Sequence, residues 1–496
     1  MRVKELIKNL KNLKISWGGN LDLNFKRIIF NSKKVQEGDL FFALKGLKTD
    51  GHRFIKEAFL KGAKIFVLED KKFKKYMNFF EKNKEKIFWI TTPDTLKLFS
   101  YVNLYFYKVD LKKFKFIGVT GTNGKTTVCF LTEKILKENR LKTSRISTIN
   151  CSLNSKILKN SLTTPLASEL FKILKKCEKE SIEYVILEAS SQGLEEKRLE
   201  PLEFKIAVFT NLSQDHLDYH FTLENYFKAK KRLFEKLSLE GTACINLDDS
   251  YGKRLYKALK TKKIGFGIKT KKDIYLKERI LKRFSQELKI KILKDTFTIK
   301  TKLLGIYNIY NIMASLGVAV SLGLSLKRTI KALKEFLPPP GRLEFINTKR
   351  VSFVIDYAHT PSALKEVLNT LRELKFNRII TVFGCGGERD VSKRPLMGKI
   401  ASSLSDIVII TDDNPRSESP QKIIRDILKG IKKSNFKIIR DRKKAIKYAI
   451  EIAEPRDCVL IAGKGHESYQ IFKDKKIWFK DSFYVKKFLN VKDKSI

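Results

Sequence analysis

The run Gly121-Thr122-Asn123-Gly124-Lys125-Thr126-Thr127 sets glycines, a lysine and hydroxyls at the spacing of a phosphate cradle. A mostly apolar stretch at 114–117 precedes it, and a helix is predicted to begin near Val128. A strand, a glycine-rich turn and a helix N-terminus in that order wrap backbone N–H groups around the phosphates of a nucleotide. In that arrangement the Lys125 ammonium meets the β- and γ-phosphates, and the Thr126 hydroxyl ligates Mg²⁺. Gly118 lies one residue outside the usual GxxxxGK[ST] spacing, so the loop is read from Gly121. An ordinary surface turn has no need of a lysine and two threonines in register behind its glycines. The run predicts that the chain handles ATP.

Other chemistry-bearing clusters fall where strands are predicted to end. Towards the C-terminus, predicted strands at 353–355, 378–383, 407–410, 436–439 and 458–461 alternate with predicted helices at 362–374, 395–404, 421–431 and 442–453. That alternation predicts a mainly parallel, doubly wound α/β sheet, whose ligands bind beyond the carboxyl ends of the strands. Those ends carry Asp356-Tyr357-Ala358-His359, Gly384 through Asp390, Asp412-Asp413-Asn414-Pro415-Arg416 and Gly463-Lys464-Gly465-His466-Glu467. In the middle of the chain, predicted strands at 114–119, 184–187, 206–209 and 243–246 deliver Glu188-Ala189-Ser190-Ser191 and Thr210 through His216 in the same way. Of the five histidines, His216, His220, His359 and His466 lie in or beside these clusters, while His52 sits in an Asp50-Gly51-His52 turn. Their joint placement favours function in a chain this poor in histidine.

The elements that must position these groups set the wider organisation. At 496 residues the chain exceeds what one core spans, and 43% hydrophobic residues suffice for several cores. A predicted helix at 95–107 and the lysine-rich 108–113 mark one boundary, and Pro338-Pro339-Pro340-Gly341 marks a second. The segments are therefore 1–107, 108–337 and 338–496. The formal charge of +48, from 102 Lys+Arg against 54 Asp+Glu, would admit a nucleic-acid-binding ATPase. The lysines are scattered through every segment, however, with no arginine-rich stripe, so a compositional bias explains them better and no nucleic-acid partner is expected. Six dispersed cysteines without a CxxC pair predict reduced thiols in a cytoplasmic protein. The lysine-studded 1–17 lacks an apolar signal core, and 312–326 is too short to span a bilayer, so no membrane association is expected.

Taken together, Gly121 through Thr127, Thr163-Thr164-Pro165, Glu188-Ala189-Ser190-Ser191, Asn211 through Tyr219, Tyr226 through Phe234, Asn308-Ile309-Tyr310-Asn311, Gly341-Arg342 and Asp356 through Pro361 resemble the Mur ligases. These are ATP-dependent amide-forming enzymes of peptidoglycan synthesis. The resemblance runs from Asn31-Ser32-Lys33 to Gln470. It implies three α/β domains: an N-terminal UDP-sugar-binding domain, a central P-loop parallel-sheet ATPase domain and a C-terminal Rossmann-like doubly wound domain that binds the amino acid. The implied reaction adds meso-diaminopimelate to UDP-N-acetylmuramoyl-L-alanyl-D-glutamate through an acyl phosphate, carried out by a monomer. A lysine-adding enzyme and a folylpolyglutamate synthetase are the nearer rivals, and a nonenzymatic nucleotide-binding relative is a more distant one.

Residue by residue, the resemblance implies catalytic roles for Lys125, Glu188, His216 and Lys230, the last as an N-carboxylated lysine. Thr126 and Glu188 would hold one Mg²⁺, and His216 with carbamylated Lys230 would serve a second. Asn308 and Asn311 would lie near adenine, with Arg342 and Asp356 near the phosphates and ribose. The UDP-sugar dipeptide would meet Ser32, Thr163, Thr164, Ser190, Glu196 and Arg198; Gln192 and Glu196 depart from the residues usual in the family. Diaminopimelate would meet Arg389, Asp413, Asn414, Arg416, Gly463 and Glu467. Arg416 would hold the distal carboxylate that lysine lacks, because a planar guanidinium pairs a carboxylate through two bonds.

Overall fold

The computed structural model describes residues 1–46, 49–154, 156–158 and 162–490. Its first sheet has five strands in the spatial order Ser16–Gly19, Phe88–Thr92, Ile65–Glu69, Leu40–Phe42 and Ile28–Ile29, parallel except at the Ser16–Gly19 edge. Its central strands are almost wholly apolar, as expected where both faces are covered. The helix Thr95–Tyr107 follows, capped by Asp94, which accepts from Lys97 N. This helix packs against the helix Ala167–Lys179, and one apolar cluster runs from Phe42 through Leu98 and Val102 to Leu170 and Phe209. Ser100 Oγ donates to Lys197 O, and Lys197 pairs with Asp94. The first sheet is thereby fixed to the second.

The second sheet has eleven strands, with Lys115–Thr120 between Phe204–Phe209 and Tyr184–Glu188, all parallel. Thr120, Glu188 and Phe209 consequently end side by side. The helix after the glycine-rich turn spans Lys125–Glu138, so it begins three residues before the expected Val128. The physical reason lies in Gly124, whose φ of +90° turns the chain directly into the helix and draws Lys125, Thr126 and Thr127 into its first turn. Threonines are weak helix formers in an interior but are well accommodated at an N-terminus. Further strands extend this sheet where none was anticipated: the antiparallel meander Ile274–Lys282, Ser285–Ile292 and Asp295–Thr301, and the antiparallel Cys151–Leu153 and Lys156–Leu158. In Ser285–Ile292 the buried Gln286, Leu288, Ile290 and Ile292 alternate with solvent-facing residues, which is the period of a half-buried strand.

The third sheet orders its strands as Glu344–Asn347, Ser352–Asp356, Cys458–Ala462, Ile379–Phe383, Ile407–Ile410 and Phe436–Ile438, parallel apart from the first. The expected alternation is observed, with helices Pro361–Glu373, Lys393–Leu404, Pro420–Leu428 and Arg442–Glu451. The edge strand Glu344–Asn347, the hairpin Tyr469–Phe472 with Lys475–Trp478, and the helix Asp481–Phe488 are additional. All six cysteines are free and buried. Among the described residues no helix is long and apolar enough to cross a membrane.

One buried ion pair ties the third domain's outer elements together. Arg442 donates to both Asp481 carboxylate oxygens at 2.8 and 2.9 Å and to Ala462 O at 2.9 Å, and both side chains are fully buried. Deleting one partner strands the other charge in an apolar surround. Arg442→Ala should therefore lose about 3–5 kcal/mol of stability in denaturant unfolding, and Arg442→Met combined with Asp481→Leu should recover most of it. A loss under about 1 kcal/mol for the single variant would contradict this reading of the pair.

Candidate active site

The glycine-rich loop is strapped to the neighbouring strand end. Thr122 N donates to Asn211 O, Asn123 N donates to Asn211 Oδ1, and Thr210 Oγ1 and Asn211 Nδ2 both donate to Asn123 O. The loop lies so close that a Cβ on Gly121 would fall 1.9 Å from Thr210 Oγ1 and one on Gly124 2.4 Å from Asn311 Oδ1. Lys125 folds back over it, its Nζ donating to Gly121 O at 2.9 Å and Thr122 O at 2.8 Å. Burial pushes the Lys125 pKa down, against the opposing charges of Glu188 and Asp215. Lys230, on the helix Leu223–Lys231, is almost fully buried and donates to the same Gly121 O at 2.8 Å, with its ammonium 4.1 Å from the Tyr226 ring centre. Burial moves its pKa well below the usual lysine range, and Lys125 adds to the effect.

Glu188 ends its strand beside the loop. Its carboxylate accepts from Thr148 N at 2.9 Å and Thr148 Oγ1 at 3.0 Å, and Thr148 Oγ1 lies 3.0 Å from the Thr163 hydroxyl. Asp215 is the buried carboxylate that the sequence reading left out. His216 Nε2 lies 3.4 Å from it and His359 Nε2 4.0 Å, and its pKa is held far below the carboxylate range by these groups together with Lys393 and Lys125, against its burial. The His359 pKa is pushed down to about 4 by burial, and its Nδ1 lies 2.8 Å from Tyr357 O. Asp215 and His359 stand within the quoted strand-end clusters, where a buried acid beside two histidines is a usable signal. Thr148 and Lys393 had none, Lys393 being one of 102 basic residues.

Two cavities meet here. The smaller, of about 470 Å³, is lined by Gly124, Thr127, Asn308, Asn311, Arg342 and Asp356, among others. Asn311 Nδ2 donates to Asn308 Oδ1, one helical turn away on the helix Ile306–Ser321. Arg342 reaches across from the third domain, its Nη2 donating to Thr126 Oγ1 at 3.1 Å and its guanidinium lying 4.5 Å from the Tyr357 ring centre. Asp356 accepts from Leu343 N and Ala358 N, and burial raises its pKa to about 6 against the pull of Arg342. The larger cavity, of about 960 Å³, holds Thr163, His216, Arg389, Asn414, Arg416 and Glu467 on its wall, with Asp413 and Gly463 beside them. Tyr357 and His359 line both cavities.

Strand order explains the larger cavity's third-domain wall. Ser352–Asp356, Cys458–Ala462, Ile379–Phe383 and Ile407–Ile410 are successive neighbours, so the loops holding Gly463, Arg389 and Arg416 emerge side by side. Arg416 sits at φ +54° and donates through Nη1 to Gly387 O at 2.6 Å, and its backbone pairs with the hairpin at Ile471 and Lys473. Burial lowers its pKa, and the like charge of Arg389 adds to this. Glu467 and Asp413 face the same space.

The structure gathers the expected sugar-peptide residues less tightly. Thr164 donates to Glu188 O and accepts from Ser190 N, and Arg198 holds Thr164 O at 2.6 Å and Glu196 Oε2 at 2.6 and 3.0 Å. Gln192 Nε2 donates to Glu196 Oε1, so the two departures from the family's usual residues satisfy each other. Ser32 lies apart in the first domain, donating to Glu57, and lines neither cavity. His52 is structural: it bonds Asp50 and accepts from Glu69 N.

The Mur ligase family catalytic domain matches residues 24–96, the Mur ligase middle domain 119–319 and the Mur ligase glutamate ligase domain 341–465. A UDP-N-acetylmuramoyl-L-alanyl-D-glutamate–2,6-diaminopimelate ligase of Clostridium botulinum is 40% identical, covering 95% of this chain and 96% of its own. The protein of the same name from Aquifex aeolicus is 41% identical, with 95% of each chain covered. A solved structure under that name superposes with a TM-score of 0.65 at 31% identity over 99% of both chains. With the nucleotide loop, the strand-end acids and the opposed charges of the larger cavity in place, this chain belongs to the Mur ligase family.

Proposed function

We propose that this chain is an ATP-dependent ligase that joins meso-diaminopimelate to UDP-N-acetylmuramoyl-L-alanyl-D-glutamate. The observation that carries this reading is the shared wall of Tyr357 and His359: on one side lies a nucleotide-sized cavity, on the other a cavity in which Arg389 and Arg416 oppose Asp413 and Glu467. A carboxylate is a poor electrophile, so its oxygen first attacks the γ-phosphorus of ATP, ADP leaves, and an acyl phosphate forms. The amine then attacks the acyl carbon, and phosphate departs as the amine gives up its proton.

The chain's own groups supply alignment and charge. Lys125 and the first N–H groups of the helix Lys125–Glu138 meet the phosphates. Arg342 approaches the same point from the third domain, so closing the domains adds a positive charge to the phosphoryl site. Mg²⁺ is usually bound through one or two carboxylates plus substrate phosphates. The hydroxyl of Thr126 and the buried carboxylate of Glu188 suit that pattern, and among the described residues no cluster of three or more His, Cys, Asp and Glu forms a complete protein cage. Bound there, Mg²⁺ would neutralise charge between the β- and γ-phosphates. His216 lines the larger cavity, and in this reading it would serve a second ion beside the acyl group.

Lys230 suits N-carboxylation because its burial favours the neutral amine, the form that adds carbon dioxide. The resulting carbamate keeps an N–H for Gly121 O and turns a buried cation into an anion. The segment 1–107 would carry the uridine end, 108–337 the ATP and 338–496 the amino acid. The nucleotide-linked substrates suit the cytoplasm.

Purified protein with ATP, Mg²⁺ and the UDP-dipeptide should form amide with meso-diaminopimelate and discriminate against L-lysine by about a hundredfold or more in kcat/KM, since lysine leaves the arginines unpaired. Arg416→Ala should lose roughly 2–5 kcal/mol of apparent diaminopimelate binding without becoming a lysine ligase, because deletion supplies no new contact. Equal use of both amines by the wild type would overturn the pocket assignment. Lys230→Ala should be nearly inactive and partly rescued by short carboxylates, while a fully active alanine variant would dismiss the carbamate.

A further inference from the structure

Lys464 is a fully buried lysine that does not line the larger cavity, yet both groups it touches do. Its Nζ lies 2.9 Å from Glu467 Oε2 and 3.2 Å from Asn414 Oδ1, and 5.5 Å from the Tyr469 ring centre. The glycines on either side hold it there. Gly463 and Gly465 sit at φ +111° and +52°, and a Cβ on Gly465 would fall 2.7 Å from Gly341 O. The turn can therefore pass close against the third domain's first residues while the lysine between the glycines faces inward.

The bonds around Asn414 leave its amide no freedom. Oδ1 accepts from Lys464 Nζ and from Ile471 N at 3.0 Å, and Nδ2 donates to Glu467 Oε2 at 3.0 Å. A flipped amide would set its NH₂ against the ammonium and against a backbone N–H, and would lose all three bonds. One N–H of Nδ2 remains for a ligand. Both hydrogen bonds to Glu467 fall on Oε2, and among the described residues Oε1 accepts none. A cavity-lining donor and a cavity-lining carboxylate oxygen are thus presented in a fixed relation by a cation that stays out of the cavity.

We infer that Lys464 is a positioning residue for the amino-acid substrate: it sets the Asn414 amide and pairs the Glu467 carboxylate so that one donates to a substrate carboxylate while the other accepts from a substrate ammonium. This rests on the ligase reading above. Lysine is suited to the task because its compact ammonium serves two acceptors at once, which a neutral side chain of similar length cannot do.

The test compares wild type, Lys464→Met, Glu467→Gln and the double variant, with ATP, UDP-dipeptide and meso-diaminopimelate each varied in turn. Lys464→Met should raise the KM for diaminopimelate about tenfold or more while leaving the KM values for ATP and UDP-dipeptide within about twofold. The loss of diaminopimelate binding in the double variant should be smaller than the product of the two single losses, because the lysine acts in part through that carboxylate. Removing both charges leaves no unpaired ion, so the double variant stays measurable even if Lys464→Met alone folds poorly. An unchanged diaminopimelate KM in Lys464→Met, an equal rise in the KM for ATP, or multiplying losses in the double variant would overturn the inference. An inactive wild type would instead overturn the ligase reading.

Discussion

The carbonyl oxygen of Gly121 accepts hydrogen bonds from two lysine side chains, the partly buried Lys125 at 2.9 Å and the buried Lys230 at 2.8 Å. Like charges at such separation repel strongly in a medium of low dielectric, and burial already disfavours each of them, as the lowered pKa of both lysines records. With both lysines charged, the arrangement is stable only in the company of anions. Glu188 and Asp215 supply part of that charge from the protein. Nucleotide phosphates and an N-carboxylated Lys230 would supply the rest. The strain at one carbonyl thus prescribes what the surrounding cavity must bind, and the straps from Thr210 and Asn211 keep the loop from relaxing away.

The same economy governs the junction between domains. Asp215 belongs to the central domain, whereas His359 and Lys393 come from the third, and all three meet around one buried carboxylate. Gln214 donates to Asp390 and Ser392 nearby, and Asn123 and Ser213 both bond Ser362. The nucleotide loop is therefore in direct hydrogen-bond contact with the domain that carries the amino-acid pocket. Binding energy gained at either cavity is available to orient the other.

What the sequence disclosed depended on how local each signal was. The glycine-rich turn and the strand-end clusters were legible because a few consecutive residues define them, and the parallel alternation in the third domain follows from apolar runs of the right length. The helix start was misplaced because Gly124 acts through its backbone angle, which composition does not display. The meander at 274–301 escaped because lysines on its exposed faces blur a period of two. Lys230, Lys393 and Lys464 differ from the other lysines among the described residues only in being buried. Lys230 was reached through family resemblance, and the other two emerged only from the packing. The sugar-peptide residues remained the least resolved, since Ser32 lies in a different domain from Thr164, Ser190 and Arg198.

Lys125 and Arg342 converge on the phosphoryl site to drive phosphoryl transfer onto a carboxylate before the amine reacts. Supplying UDP-dipeptide with both oxygens of the reacting glutamyl carboxylate replaced by ¹⁸O, and analysing the phosphate released with ATP and meso-diaminopimelate, tests it directly. An acyl phosphate requires one labelled oxygen to leave in each phosphate, in step with amide formation. Unlabelled phosphate accompanying amide product would contradict the account.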